Sequence, residues 1–402
     1  MRRFLFFLPL CALLLGCEKI DHTGEAEALS QEPTEIATED LARLFAELPL
    51  GQEQFREVFD AVSSSSANGY DEEYMLRDLF AEPGSGVGDA ATKAAGLPVP
   101  AKSYSRPIRD LITEHLGAGL TKSAAMSPEE YVDALESSDF QVYWPYQDDW
   151  DGSSAPVITY DPGDGSSRNF GYECVTASDG SRRIETVIVD EEMARKRPVW
   201  VINRNDDSGF TSLEMLRRQD PDWGTGGGEI IVGPQTKSAE GEPVLRTLIL
   251  KDFCAHRNYD SWLAGASEFF VKIGAVEDFF ASTEAELRLY TPSITDFMIV
   301  VKRKEVGLVR PFNAVLVSRW TEQLDACAFM ITEDDGGTQT EWKCTADVKL
   351  NSKVWGVNLS IPFRSRDDIV WRGQLSSRYF EKYNDITGHF GDVDLTFEIT
   401  EL

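Results

Sequence analysis

The sequence predicts an α+β protein, with a helical N-terminal part, a β-rich middle part and a C-terminal antiparallel β-sandwich. Three observations predict it. Between Asp40 and about Leu135 the apolar residues recur at helical spacing. After Phe140 they fall into short β-type runs bounded by Gly, Asp and Pro. A chain of 402 residues is too long for one ordinary core, so two or three domains are expected. The boundaries read as 1–16, 17–39, 40–139, 140–243 and 244–402.

The helical part is carried by apolar stripes. Leu41, Leu44, Phe45 and Leu48 fall at i, i+3, i+4, i+7, and Phe55, Val58, Phe59 and Val62 repeat the pattern. Breaks are predicted at Pro49-Leu50-Gly51, at the Ser63–Ser66 run with Asn68-Gly69, and at Pro83-Gly84. Ile108, Leu111, Ile112 and His115 form a third stripe, where His115 reads as a packed core histidine. Ser127-Pro128-Glu129-Glu130 is a helix start, with Ser capping and Pro in the first turn. Gly84–Lys102, rich in Gly, Ala and Pro, reads as a connector.

In the middle part, strands are expected at Val157–Tyr160, Glu185–Asp190, Val199–Asn203 and Glu229–Val232. From Val244 they come thickly: Leu245–Lys251, Glu268–Ile273, Phe297–Lys302, Ala314–Trp320, Cys327–Thr332, Thr338–Thr345, Val354–Ile361 and Val393–Ile399. Many short strands with few helix signals between them are the pattern of a sandwich. Cys327 and Cys344 are expected to form a disulfide. A two-residue turn at Asp335-Gly336 sets Phe329 opposite Trp342 and Cys327 opposite Cys344. That non-hydrogen-bonded site brings Cα atoms to about 4.5 Å, inside the range of about 4.4–6.8 Å that a disulfide accepts.

The first 17 residues carry an address. Arg2 and Arg3 precede an apolar run, Phe4–Leu15, broken only by Pro9. The run is shorter than the roughly 20 residues needed to span a bilayer, and it fits a secretory signal. It ends in Leu14-Leu15-Gly16-Cys17, which resembles the lipobox of bacterial lipoproteins, with Leu15 where Ala or Ser is commoner. The resemblance implies cleavage before Cys17 and lipidation of its thiol, an anchor to which each buried CH₂ adds roughly 0.8 kcal/mol. Glu18 rather than Asp follows Cys17, which by resemblance to Gram-negative lipoproteins implies the outer membrane. Glu18-Lys19-Ile20-Asp21 resembles the Lys-plus-acidic tags of surface-exposed lipoproteins, favouring the surface over the periplasmic face. Residues 17–39, poor in bulky side chains, then read as a lipidated flexible tether.

Composition excludes some partners. The formal charge of −29 becomes −31 once Arg2 and Arg3 leave with the signal. Such a surface repels nucleic acid and anionic headgroups, whose binding needs Lys and Arg on the phosphates. The chain has four widely spaced His, no H-E-x-x-H, no G-x-S-x-G and no S-x-x-K. No catalytic residue is therefore assigned.

What the sequence offers instead is acidic loops at strand ends: Asp148–Asp151, Asp161–Asp164, Asn203–Asp207, Asp334-Asp335-Gly336-Gly337, Asp367-Asp368 and Asn384-Asp385. Hard oxygen donors clustered with Gly suit Ca²⁺; the same residues also form Asx turns without any ion. One segment adds to this. Thr247–Lys251, Asn258-Tyr259-Asp260 and Gly265-Ala266-Ser267-Glu268-Phe269-Phe270 run strand, acidic loop, strand. The segment resembles the opening of the calcium-dependent, phospholipid-binding sandwich first described in protein kinase C. The resemblance covers about thirty residues and implies Asp260 and Glu268 as metal ligands, Glu268 standing where Asp is usual. Asp392-Val393-Asp394 is the candidate for that family's later Asp-x-Asp loop. Trp144, Tyr146 and Trp150 form an aromatic group suited to stacking on sugar rings, or to burial at a domain junction. Two functions follow: a lipid-anchored, non-enzymatic binding or structural module with a protein, glycan or Ca²⁺ ligand, or a glycan-directed hydrolase using a carboxylate pair.

Overall fold

The structure, a computed structural model, describes residues 36–81, 104–119, 126–177, 179–205, 209–219 and 245–401. The signal segment, Cys17, the tether up to residue 35, the Gly84–Lys102 connector, Asp206-Asp207 and the Glu229–Val232 strand lie outside the described residues. The fold is α+β, with helices and strands in three mostly antiparallel sheets. No described helix is long and apolar enough to cross a membrane.

The first sheet is built from β1 (Glu73–Met75), β2 (Phe140–Tyr143), β3 (Val157–Tyr160), β4 (Arg168–Thr176), β5 (Arg182–Asp190) and β6 (Val199–Arg204), in the order β1-β2-β6-β3-β4-β5. Only β3 and β6 run parallel. The helices Thr38–Glu47, Gln52–Ala67, Ile108–Gly119 and Pro128–Glu136 lay the predicted stripes on this sheet. Leu41, Phe45, Val58, Val62, Leu111 and Ile112 share one core with Phe140, Val142, Trp144, Trp200 and Ile202. The stretch 40–139 also contributes β1, so the helical and middle stretches meet in one sheet as well as one core. Ser127 accepts the Glu130 N–H at 3.2 Å while the Glu130 carboxylate accepts the Ser127 N–H at 2.8 Å, a reciprocal cap that starts the last helix.

Two elements differ from expectation. The helix runs through the Ser63–Ser66 part of the predicted break to Ala67 and stops at its Asn68-Gly69 part, where Gly69 takes φ +79°. Buried Ala61, Val62 and Ser65 hold that turn against the sheet, and packing outweighs the low intrinsic propensity of serine. His115 is not a core histidine: it is part-exposed, with Nε2 3.4 Å from Glu47 Oε2.

The C-terminal part comprises β7 (Leu245–Ala255), β8 (Ser267–Ala275), β9 (Ser293–Val301), β10 (Arg310–Thr321), β11 (Leu324–Glu333), β12 (Gln339–Leu350), β13 (Lys353–Arg364), β14 (Asp368–Ser376), β15 (Thr387–Phe390) and β16 (Val393–Glu401). One sheet has the order β10-β7-β16-β15; the other has β13-β12-β11-β8-β9, with β14 added on β11. Both supply one large apolar cluster, Leu250, Phe253, Leu395 and Phe397 from the first and Phe269, Val271, Phe329 and Ile331 from the second. Burial of such side chains contributes about 1.5–3 kcal/mol each.

The expected Cys327–Cys344 hairpin is corrected by these pairings. β12 meets β11 only at Leu324 and Ala326, opposite Val348 and Asp347. From Ala326 to Glu333, β11 pairs instead with β14, which sets Cys327 opposite Leu375, while Cys344 lies opposite Leu359 of β13. Both thiols are free. The local turn signal loses because β14 and β8 flank β11 and bury the whole of its C-terminal half. Gly336 and Gly337, both at positive φ, lead the chain away from the hairpin path.

Candidate metal centre

Antiparallel pairing brings three acidic chain segments to one edge of the larger C-terminal sheet. Glu333, the last residue of β11, lies opposite Phe269 at the start of β8 and opposite Asp368 at the start of β14. The Asp334 N–H donates to the Glu268 carbonyl at 3.0 Å, which closes this edge. The β7–β8 loop brings Asp260 to the same place, and that loop is firmly held. Trp262 and Leu263 pack with Tyr143, Val157 and Val201 of the first sheet, and Trp262 Nε1 donates to the Ser167 carbonyl at 2.9 Å. Asn203 Nδ2 donates to the Ala264 carbonyl at 2.6 Å, and Arg303 Nη2 to that of Asp260 at 2.7 Å. Ser267 Oγ accepts the Tyr259 N–H at 2.8 Å and donates to Asp260 Oδ2 at 3.4 Å, which orients the carboxylate.

Carboxylate oxygens of Asp260, Glu268 and Glu333 lie within 4.8 Å of one another, and so do those of Glu333, Asp335 and Asp368. Glu333 belongs to both groups. It is wholly buried and Glu268 is nearly so. Burial pushes the Glu333 carboxyl far above the ordinary range, and Asp260, Glu268 and Asp335 add to the rise. A buried acid among other carboxylates pays for its lost hydration unless it takes up a proton or gains a cation. A cation among these oxygens removes that penalty and the mutual repulsion together. The donor set is all hard oxygen, which suits Ca²⁺ with its six to eight ligands at about 2.3–2.6 Å and excludes preference for a softer metal.

Asp260 and Glu268, the pair implied by resemblance, are thus brought together. Glu333 completes them from 65 positions further along the chain, as the sequence numbering gives. Its signal was the acidic run Glu333-Asp334-Asp335-Gly336 at a strand end. Of the other acidic loops, several make turns: Asp151 Oδ1 accepts the Ser153 and Ser154 N–H groups at 2.7 Å, and Asp161 accepts that of Gly163 at 3.0 Å. Asp148 pairs with Lys304, and Asp385 with Lys251 at 2.7 Å.

The aromatic group lines a pocket with Asp149, Asp151 and Arg195. Trp144 is buried among Phe59, Trp150 and Trp200. Arg195 lies 4.7 Å over the Tyr146 ring, and Arg56 lies 4.9 Å over Trp150. Trp144 and Tyr146 are buried, and of the three rings Trp150 alone is part-exposed. Comparison of the chain with protein-family models, with curated proteins and with solved structures found no match.

Proposed function

We propose that this chain is an envelope lipoprotein, anchored through Cys17 in the outer membrane with its body at the surface-exposed face, and that its C-terminal sheets form a β-sandwich acting as a Ca²⁺-dependent binding module. The observation that carries the reading is Glu333, wholly buried, with a carboxylate oxygen within 4.8 Å of those of Asp260 and Glu268. In it, Asp260, Glu268 and Glu333 hold the ion, while Asp335 and the exposed Asp368 form the rim where a partner meets it. The module needs no acid–base chemistry. The hydrolase reading is weaker, because a glycosidase carboxylate must touch a sugar across a gap of about 5–10 Å, and Glu333 and Glu268 are closed off from any polymer.

Equilibrium dialysis of metal-stripped mature protein tests the module. The wild type should retain one Ca²⁺ that Asp260→Asn with Glu268→Gln abolishes; equal retention by both would overturn the assignment. Fractionation tests the anchor: Cys17→Ala should leave the membrane fraction, and a variant retained there with unchanged mass would reject it.

A further inference from the structure

We infer that His256, His389 and Asp394 form a second metal site, for a borderline divalent ion of the Zn²⁺ class. β15 and β16 pair so that His389 lies opposite Asp394, and β16 and β7 pair so that Asp394 lies opposite Cys254. His256 stands two residues beyond Cys254, so strand alternation sends it to the same face. Phe253, Ala255, Val393 and Leu395 alternate with this row and point into the core, which leaves the row facing away from it. The two imidazoles thereby close on one carboxylate. His389 Nδ1 is 2.6 Å from Asp394 Oδ1 and His256 Nε2 is 2.9 Å from Asp394 Oδ2, with ring centroids 5.6 Å apart.

One ligand atom from each of the three side chains lies within 4.8 Å of the others. Metal–nitrogen bonds of about 2.0–2.1 Å in a tetrahedron put ligand atoms roughly 3.4 Å apart. The cluster therefore needs only small side-chain shifts to receive an ion, and it sits on paired strands that fix its spacing. Two nitrogens and one carboxylate oxygen are the donor set of Zn²⁺ and its transition-metal neighbours, unlike the all-oxygen set of Glu333. On binding, each imidazole turns a lone pair to the ion in place of its hydrogen bond to Asp394. His389 is largely exposed and His256 partly so, which leaves a fourth position open to water or to a partner's side chain. His256 begins the loop that carries Asp260, so the two sites flank the same segment.

Titration of untagged, metal-stripped mature protein with Co²⁺, followed by visible absorption and by back-titration with Zn²⁺, tests this. Wild type should develop a one-equivalent Co²⁺ spectrum that Zn²⁺ removes. His256→Ala and His389→Ala, both surface changes checked for unaltered melting, should each weaken binding by at least about tenfold. Glu333→Gln should leave the spectrum intact. A featureless wild-type titration, histidine variants that bind like the wild type, or loss of the spectrum in Glu333→Gln would each overturn the site.

Discussion

The N-terminal sheet and the C-terminal sheets bury acidic side chains in different ways. In the N-terminal region three buried glutamates each accept a donor. Glu57 Oε2 accepts the Ile108 N–H at 3.0 Å, Glu72 Oε2 accepts that of Tyr146 at 3.2 Å, and Glu73 accepts from Gln141 Nε2 at 2.6 Å. These bonds tie helices, β1 and β2 together across long chain separations. In the C-terminal region two solutions stand side by side in one sheet. Asp296 of β9 has its own cation, the buried Lys272 ammonium on β8 at 3.1 Å. Glu333 on β11 is surrounded by further carboxylates. This fold can place a lysine beside a buried acid, and at Glu333 it places carboxylates instead, the arrangement for which a bound cation is proposed.

The largest effect should come from breaking the built-in pair. Lys272→Met leaves Asp296 buried without its cation, at an expected cost of about 3–5 kcal/mol, whereas Lys272→Met with Asp296→Leu should recover most of that. Urea unfolding of both variants measures it. A single variant as stable as the wild type would erase the contrast between Asp296 and Glu333.

The next effect is in pH dependence. Burial, moderated by the Ile108 N–H, pushes Glu57 up to about 8; burial with neighbouring Asp71 does the same to Glu72. Both acids bind a proton in the folded chain that the unfolded chain releases near pH 4.5. Their contribution is thus fully present below about pH 4.5 and is lost as pH rises through about 8. Unfolding free energy should fall across that window by up to about 1.4 kcal/mol per pH unit per group. Glu57→Gln should flatten the fall by one group's share; an unchanged slope would mean that Glu57 is already ionised.

The smallest effect is chemical. Burial pushes the Cys327 thiol up to about 12, so alkylation of the native protein should spare Cys327 and reach half-buried Cys344 first. Peptide mapping should find both as thiols after denaturation, and a 327–344 disulfide would restore the hairpin that β14 displaces.

What the sequence revealed was what neighbours along the chain decide. The stripes through Leu41 and Phe55, the Ser127 cap and the Asp260–Glu268 loop are all local patterns, and the structure contains each of them. Glu333 was hidden because its role depends on β11 lying between β8 and β14. The same dependence hid the meeting of His256 and His389 at Asp394, and it defeated the Cys327–Cys344 register. The strong turn dipeptide Asp335-Gly336 was legible, but the strand that outcompetes it begins at Asp368.

The most direct test is the melting temperature of metal-stripped protein with and without Ca²⁺, for wild type and Glu333→Gln. Ligand at about 100 times its Kd stabilises the folded state by about 2.7 kcal/mol, roughly 3 °C for a chain of this size. Wild type should show that rise. Glu333→Gln, whose amide can donate to Asp260 and Glu268, should melt higher than wild type without Ca²⁺ and gain nothing from its addition. A wild-type curve indifferent to Ca²⁺, or an equal rise in both proteins, would contradict the assignment of Glu333 as the centre of a cation site.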